Sequence, residues 1–231
     1  MKLYLSILLQ VILLFSFAQG QVNKAIQLQD KQWTISIQPS TLEIIAKPQG
    51  EKEFILSSKQ TNLGTVENLQ KNQNTIRWDY PGKEIHIDLE LKQDSLSVKI
   101  QTKNPGMFTF PVIQQSDNWN ALIWPRWEGC YIPLNDTTWT DYLINEEWNT
   151  TEGLSMPFWG LDCEEYSLTY LMTNPYNNEI KFTKSNDQLV SRFTHEFTTN
   201  NKVKEFGFIV YLGKNSSPVE SAQIYRDWLI S

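Results

Sequence analysis

From Gln32 to Thr102 the chain alternates apolar and polar side chains. Trp33, Ile35 and Ile37 are separated by Thr34 and Ser36, and Ile76, Trp78 and Tyr80 by Arg77 and Asp79. The same period recurs in Ile85, Ile87, Leu89 and Leu91, and again in Leu96, Val98 and Ile100. A period of two is what a strand with one wet face requires. Turn-forming residues fall between these runs, at Pro39 and Ser40, Pro48 to Gly50, Pro81 and Gly82, and Gln93 and Asp94. The spacing predicts an antiparallel meander, and helical periodicity is absent from this half.

Strand patterning returns after Asp162, in Tyr166–Leu171, Glu179–Phe182, Phe193–Phe197 and Phe206–Leu212. Asn174 and Pro175, Asn177 and Asn178, and Asn200 and Asn201 punctuate it. Ser217, Pro218 and Glu220 then read as a helix start, with Ser as cap, Pro in the first turn and Glu at the capping-box position. Val219, Ala222, Tyr225 and Leu229 are set to share one face of that helix. The expected fold is all-β: a large antiparallel two-sheet β-sandwich closed by a short C-terminal helix.

The middle, residues 104–163, breaks the pattern. Six of the nine tryptophans fall there: Trp119, Trp124, Trp127, Trp139, Trp148 and Trp159. Acidic residues are interleaved with them, among them Glu128, Asp136, Asp141, Glu146 and Glu147. This composition predicts a long ordered loop carrying a binding surface. The domain plan is therefore a leader over 1–20, a sandwich over 21–216 that includes the Trp-rich segment, and a helix over 217–231 that leads away from it.

The leader is read from Lys2, an apolar run from Leu3 to Phe17, and the small residues Ala18 and Gly20. That is the layout of a cleaved signal peptide, and the run is short for a membrane span. The expectation is a protein exported to the periplasm, the cell surface or the medium, with no membrane attachment after cleavage. A net charge of −6 and the lack of a basic cluster argue against nucleic-acid backbones as partners. Cys130 and Cys163 are the only cysteines. In an oxidising compartment they are a candidate disulfide, the alternative being two unrelated buried thiols.

Most catalytic constellations are missing. There is no Gly-rich phosphate loop, no CxxC, no HExxH and no acidic calcium loop, so neither a cofactor nor a metal is expected. The parity of their strands puts His86 on a polar face and His195 on the same face as Phe193 and Phe197. Both read as structural histidines. The Trp-rich segment is the informative region, because indole rings stack on the C–H faces of sugars while Asp, Glu, Asn and Arg satisfy their hydroxyls. Trp124, Arg126, Trp127 and Glu128 supply these types together, with Asp136 close by. Asp141, Glu146, Glu147 and Trp148 supply a second cluster. The competing reading is that the tryptophans fill a core between two sheets. Asn135, Asn149 and Asn215 each begin an Asn-x-Ser/Thr sequon.

The stretch Trp124–Asp136 (WPRWEGCYIPLND) resembles the N-terminal region of large secreted glycoside hydrolases, and Pro218–Leu229 (PVESAQIYRDWL) resembles the exit from that region. Enzymes similar to endo-α-N-acetylgalactosaminidases begin with a galactose-mutarotase-like β-supersandwich, followed by a helix into a (β/α)₈ barrel that carries the catalytic carboxylates. The resemblance implies that this chain is the leading sandwich and that no catalytic residue lies within it. It further implies a downstream barrel as partner, an exposed apolar patch near Trp228 and Leu229, and a cleft-edge role for Trp124, Arg126, Trp127, Glu128 and Asp136 toward carbohydrate. Two other readings stay open: a free-standing carbohydrate-binding or adhesion module, and a small mutarotase- or lyase-like sugar enzyme. The last requires His86 or His195 to face Glu128, Glu146 or Glu147.

Overall fold

The computed structural model describes residues 24–163, 166–200, 204–213 and 217–231. The leader over 1–20 and the sequon at Asn215 lie outside these. In chain order the strands are β1 (Ile26–Gln29), β2 (Trp33–Gln38), β3 (Glu43–Pro48), β4 (Phe54–Ser57), β5 (Glu67–Lys71), β6 (Thr75–Tyr80), β7 (Ile85–Lys92), β8 (Ser95–Thr102), β9 (Gly106–Gln114), β10 (Trp119–Trp124), β11 (Cys130–Pro133), β12 (Glu147–Asn149), β13 (Phe158–Cys163), β14 (Ser167–Met172), β15 (Asn178–Ser185), β16 (Gln188–Phe197) and β17 (Glu205–Gly213). The α-helices are α1 (Thr137–Ile144), α2 (Thr150–Gly153) and α3 (Glu220–Ile230).

Every strand pairing is antiparallel. One layer is a nine-stranded sheet in the order β11-β10-β13-β14-β17-β8-β7-β6-β5. The other layer is two four-stranded sheets, β1-β2-β3-β4 and β12-β15-β16-β9. They meet where the Ser58 N–H donates to the Val112 carbonyl at 2.6 Å. The expected large β-sandwich is the observed fold.

Alternation does what the sequence predicts in the first half. Trp33, Ile35 and Ile37 of β2 point inward, as do Ile85, Ile87, Leu89 and Leu91 of β7. Two buried tyrosines of the nine-stranded sheet tie the layers together: Tyr80 donates to the Pro39 carbonyl, and Tyr170 to that of Leu56 at 2.9 Å.

In the middle of the nine-stranded sheet alternation gives way to continuous burial, and every residue of β13 and β14 is buried. The cause is α3, which lies on the outer face of that sheet. Ile123, Phe158 and Leu171 form a second apolar cluster there, packed by Met156, Ile209, Tyr211, Tyr225 and Trp228. The Ser221 hydroxyl pairs with that of Thr169 at 2.7 Å, and the Ser167 hydroxyl donates to Glu220.

Three sequence expectations are corrected. Residues 104–163 are not one long loop: they hold β9 to β13, α1 and α2, whose buried aromatics pack on both faces and so lack a period of two. The cap of α3 is Val219 with no side-chain bond, because Glu220 turns away to Ser167 rather than back to Ser217. The inward face of α3 carries Ser221, Tyr225 and Trp228, whereas Val219 and Leu229 are 56% and 58% exposed. Among the described residues no helix is long and apolar enough to cross a membrane.

Candidate functional site

The turn between β10 and β11 is built on backbone bonds. The Arg126 N–H donates to the Trp124 carbonyl, and the Gly129 N–H to the Arg126 carbonyl, both at 2.8 Å. Gly129 takes φ +96°, which its missing Cβ permits. Trp127 takes φ +55°, an uncommon conformation for a bulky residue that costs on the order of 1 kcal/mol or more. Ser155 holds it there, its hydroxyl donating to the Trp127 carbonyl at 3.0 Å. The result is an indole 62% exposed at the tip of the turn.

Arg126 is the centre of this site. Its guanidinium carbon lies 4.5 Å from the Trp127 ring centre and 4.4 Å from that of Trp148, so the cation is held by two indoles. Its Nη1 donates to the Tyr142 hydroxyl at 2.5 Å. Behind it an edge-to-face series runs inward, from Trp139 to Tyr142 (5.8 Å), Trp148 (5.6 Å), Trp124 (5.6 Å) and Phe182 (5.3 Å). Such pairs add about 0.5–1.5 kcal/mol each beyond burial. The sandwich thus has a rigid aromatic stem that ends in an Arg–Trp cap.

The nine predicted binding residues divide sharply. Trp124 and Trp148 are core residues, 1% and 3% exposed, so their faces are not open to a sugar. Asp136 is the N-cap of α1, accepting from the N–H groups of Thr138 and Trp139. Asp141 pairs with Lys184 at 2.7 Å and Glu147 with Lys181 at 2.8 Å across exposed surface. The Lys181 ammonium, hydrogen-bonded to Glu147, holds its carboxyl below the usual range. Glu146 is exposed two residues from Trp148. Arg126, half-buried, and the exposed Trp127 and Glu128 remain as a cation–aromatic–carboxylate group at the surface. Ser155, which with Tyr142 fixes that group, escaped the sequence reading.

The candidate disulfide is absent, and both cysteines are free. Cys130 stands opposite Trp124 and Cys163 opposite Trp119, on the strands either side of β10 and at its two ends. Five residues of strand separate these positions by about 16 Å, whereas a disulfide needs Cα atoms within about 7 Å.

Beside Cys130, Tyr131 donates to the buried Asp162 carboxylate at 2.6 Å. That bond, with burial and the negative charge behind it, pushes the phenol up to about 12.

Neither histidine reaches the site. His195 is buried, bonded through Nδ1 to the side-chain amide oxygen of Asn178 at 2.6 Å and stacked on Phe206. His86 sits between Asp79 (2.5 Å) and Asp88 (3.0 Å) on β7, five strand positions from β10 and so roughly 24 Å away. The pairing of His86 or His195 with Glu128, Glu146 or Glu147 that the small-enzyme reading requires is therefore not formed. Among the described residues no group of three or more His, Cys, Asp or Glu side chains converges on one point.

No protein-family model matches the chain, and no curated protein matches it in sequence. Solved structures do match. The ligand-free α-N-acetylgalactosaminidase NagBb from Bifidobacterium bifidum superposes with a TM-score of 0.65 at 10% identity, over 89% of this chain and 38% of that one. Its GalNAc complex gives 0.61 at 10% identity, over the same shares. A quadruple mutant of the same enzyme gives 0.62 at 9% identity, over 89% and 39%. The chain thus spans well under half the length of these enzymes. At such identity the likeness is one of fold, and nearly the whole sandwich is shared with a glycoside hydrolase.

Proposed function

We propose that this chain is the non-catalytic β-sandwich domain of a secreted glycoside hydrolase, and that its Arg126–Trp127–Glu128 turn borders a carbohydrate cleft. The observation that carries the reading is the match of 89% of the chain to part of an α-N-acetylgalactosaminidase. The character of the turn supports the cleft-edge role, since a backbone strained at Trp127 holds a large indole out in solvent, where burial contributes little. The carboxylates that sequence offers for hydrolysis are a helix cap, two lysine partners and two exposed acids, and the reading places the catalytic acids on a downstream barrel. Leu229 and Ile230, 58% and 79% exposed at the end of α3, suit a junction with such a partner.

The test has two arms. The isolated chain, incubated with an aryl α-N-acetylgalactosaminide, is expected to release no aryl alcohol. On an array of mucin-type glycans it is expected to bind weakly, with at least fivefold loss in Trp127→Ala and Arg126→Ala. Hydrolysis by the isolated chain overturns the non-catalytic reading, and unchanged glycan binding in both variants overturns the cleft edge.

A further inference from the structure

Arg126 differs from the other arginines of the chain. Arg77, Arg192 and Arg226 are exposed, and each bonds a polar side chain: Gln70 at 2.6 Å, Thr183 at 2.8 Å and Asp227 at 2.6 Å. Arg126 is half-buried, and among the described residues it forms no ion pair.

A guanidinium carries five N–H donors. One of them reaches an acceptor, the Tyr142 hydroxyl. The Trp127 and Trp148 rings balance part of the charge, but a ring offers no lone pair to the other N–H groups. None of the Arg126 nitrogens is both buried and unpartnered, so the remaining donors open to solvent beside the exposed Trp127 indole.

The neighbouring acids leave this cation to a guest. Lys184 takes Asp141, Lys181 takes Glu147, and Asp136 caps α1. Glu128 is exposed, two residues along the turn, and makes no ion pair with Arg126. A partly desolvated cation without a counter-charge costs stability. The two oxygens of a carboxylate match adjacent N–H groups of a guanidinium, and such charge-assisted pairs are about twice as strong as neutral bonds. A sulfate presents its oxygens in the same way. A neutral hydroxyl cannot supply the missing charge.

Trp127 points to what carries the anion. Its neighbours along the turn are a cation, an acid and a glycine, with Ser155 bonded to its carbonyl, so it is a single exposed ring in polar company. The core of a protein–protein interface is a broader apolar patch. One indole suits the flat C–H face of one sugar ring. We propose that the saccharide taken at this cleft edge is acidic: its carboxylate or sulfate seats on the free N–H groups of Arg126, its ring stacks on Trp127, and Glu128 accepts from one of its hydroxyls. The proposal rests on the cleft-edge role of this turn and adds the charge of the ligand.

Two matched pairs of probes test it: lactose with 3′-sialyllactose for the carboxylate, and N-acetylgalactosamine with its 6-sulfate for the sulfate. The readout is the Trp127 indole N–H signal of the ¹⁵N-labelled chain, identified by Trp127→Phe. In at least one pair the acidic member is expected to bind about tenfold tighter than the neutral one, and that pair names the anion. The preference is expected to shrink as salt rises from about 20 to 300 mM. In Arg126→Lys, checked for a native spectrum, it is expected to fall about threefold, because the charge stays and the fork is lost. A preference unchanged in both Arg126→Lys and Arg126→Gln overturns the proposal by putting the anion elsewhere. Equal binding within both pairs overturns the acidic ligand and leaves the cleft edge standing. No shift of the Trp127 signal with any of these sugars overturns both. A shift with an acetylated glutamate peptide and with none of the sugars overturns the saccharide and gives the cation to a protein carboxylate.

Discussion

Gly160 lies directly beneath Ser221: a Cβ built on Gly160 falls 2.3 Å from the Ser221 hydroxyl oxygen, and 3.2 Å from both the Ile123 Cβ and the Leu168 carbonyl. The helix α3 rests on the sheet at the one point of β13 where no side chain intervenes. Gly160→Ala is therefore expected to lift α3 and cost about 1–3 kcal/mol, the usual range for overpacking. Ser221→Ala in the same chain removes the closest atom and is expected to restore part of that loss. Urea unfolding of the two single variants and the double variant reads the coupling.

Acid should loosen the sandwich through His195. Burial pushes its imidazolium down to about 4, from an ordinary value of 6.5. Below pH 6.5 the unfolded chain takes up a proton that the folded chain refuses, so stability falls with falling pH. The loss begins near pH 6.5, reaches about 3 kcal/mol at pH 4, and then levels off. Comparing urea midpoints of the wild type and His195→Gln from pH 7 to 4 checks this. The variant is expected to lose markedly less stability over that interval.

The Arg126 cap makes a separate stability prediction. A half-buried guanidinium between two indoles contributes about 1–2 kcal/mol through cation–π attraction. Arg126→Ala should lose that amount, together with the bond to Tyr142. Arg126→Lys keeps the charge but not the planar fork, and should recover less than half. Tryptophan emission is expected to shift to the red in both variants as Trp127 is released, and unchanged emission with unchanged stability would refute the cap.

The two thiols should differ in reactivity rather than join. Cys130 is half-buried, while Cys163 is fully buried and its thiol is pushed up to about 12. Under native conditions at pH 8, N-ethylmaleimide is expected to add once, at Cys130, and a second time only after unfolding. Intact-mass measurement gives the count. A mass two hydrogens lower, abolished by reductant, would contradict the free thiols.

What was legible in the sequence follows from which faces are wet. Strands with water on one side, such as β2, β6, β7 and β8, were readable to within a residue or two of their ends. β10 and β13 carry apolar side chains on both faces because α3 covers the outer one, and a doubly buried strand has no period to detect. Short edge strands such as β5, exposed along most of its length, had no apolar face to announce them. In the Trp-rich segment, local chemistry alone cannot separate an indole that faces solvent from one that faces the core. Hence Trp127 and Trp148 looked alike, while one is 62% and the other 3% exposed.

The seam between β4 and β9 has a consequence for how the molecule breathes. Ser58 and Val112 supply its backbone bond, a weak 3.5 Å contact from the Val112 N–H to the Ser57 hydroxyl sits beside it, and Pro111 has no N–H to extend the ladder. The second layer is thus two four-stranded sheets laid edge to edge with little backbone bonding between them, both packed on the nine-stranded sheet through one core. Amide protons at Ser58 and Val112 should exchange with solvent through local opening, while those of β7, β8 and β17 wait for global unfolding. The N-terminal four strands are the part of this domain that can let go first and return without the rest coming apart.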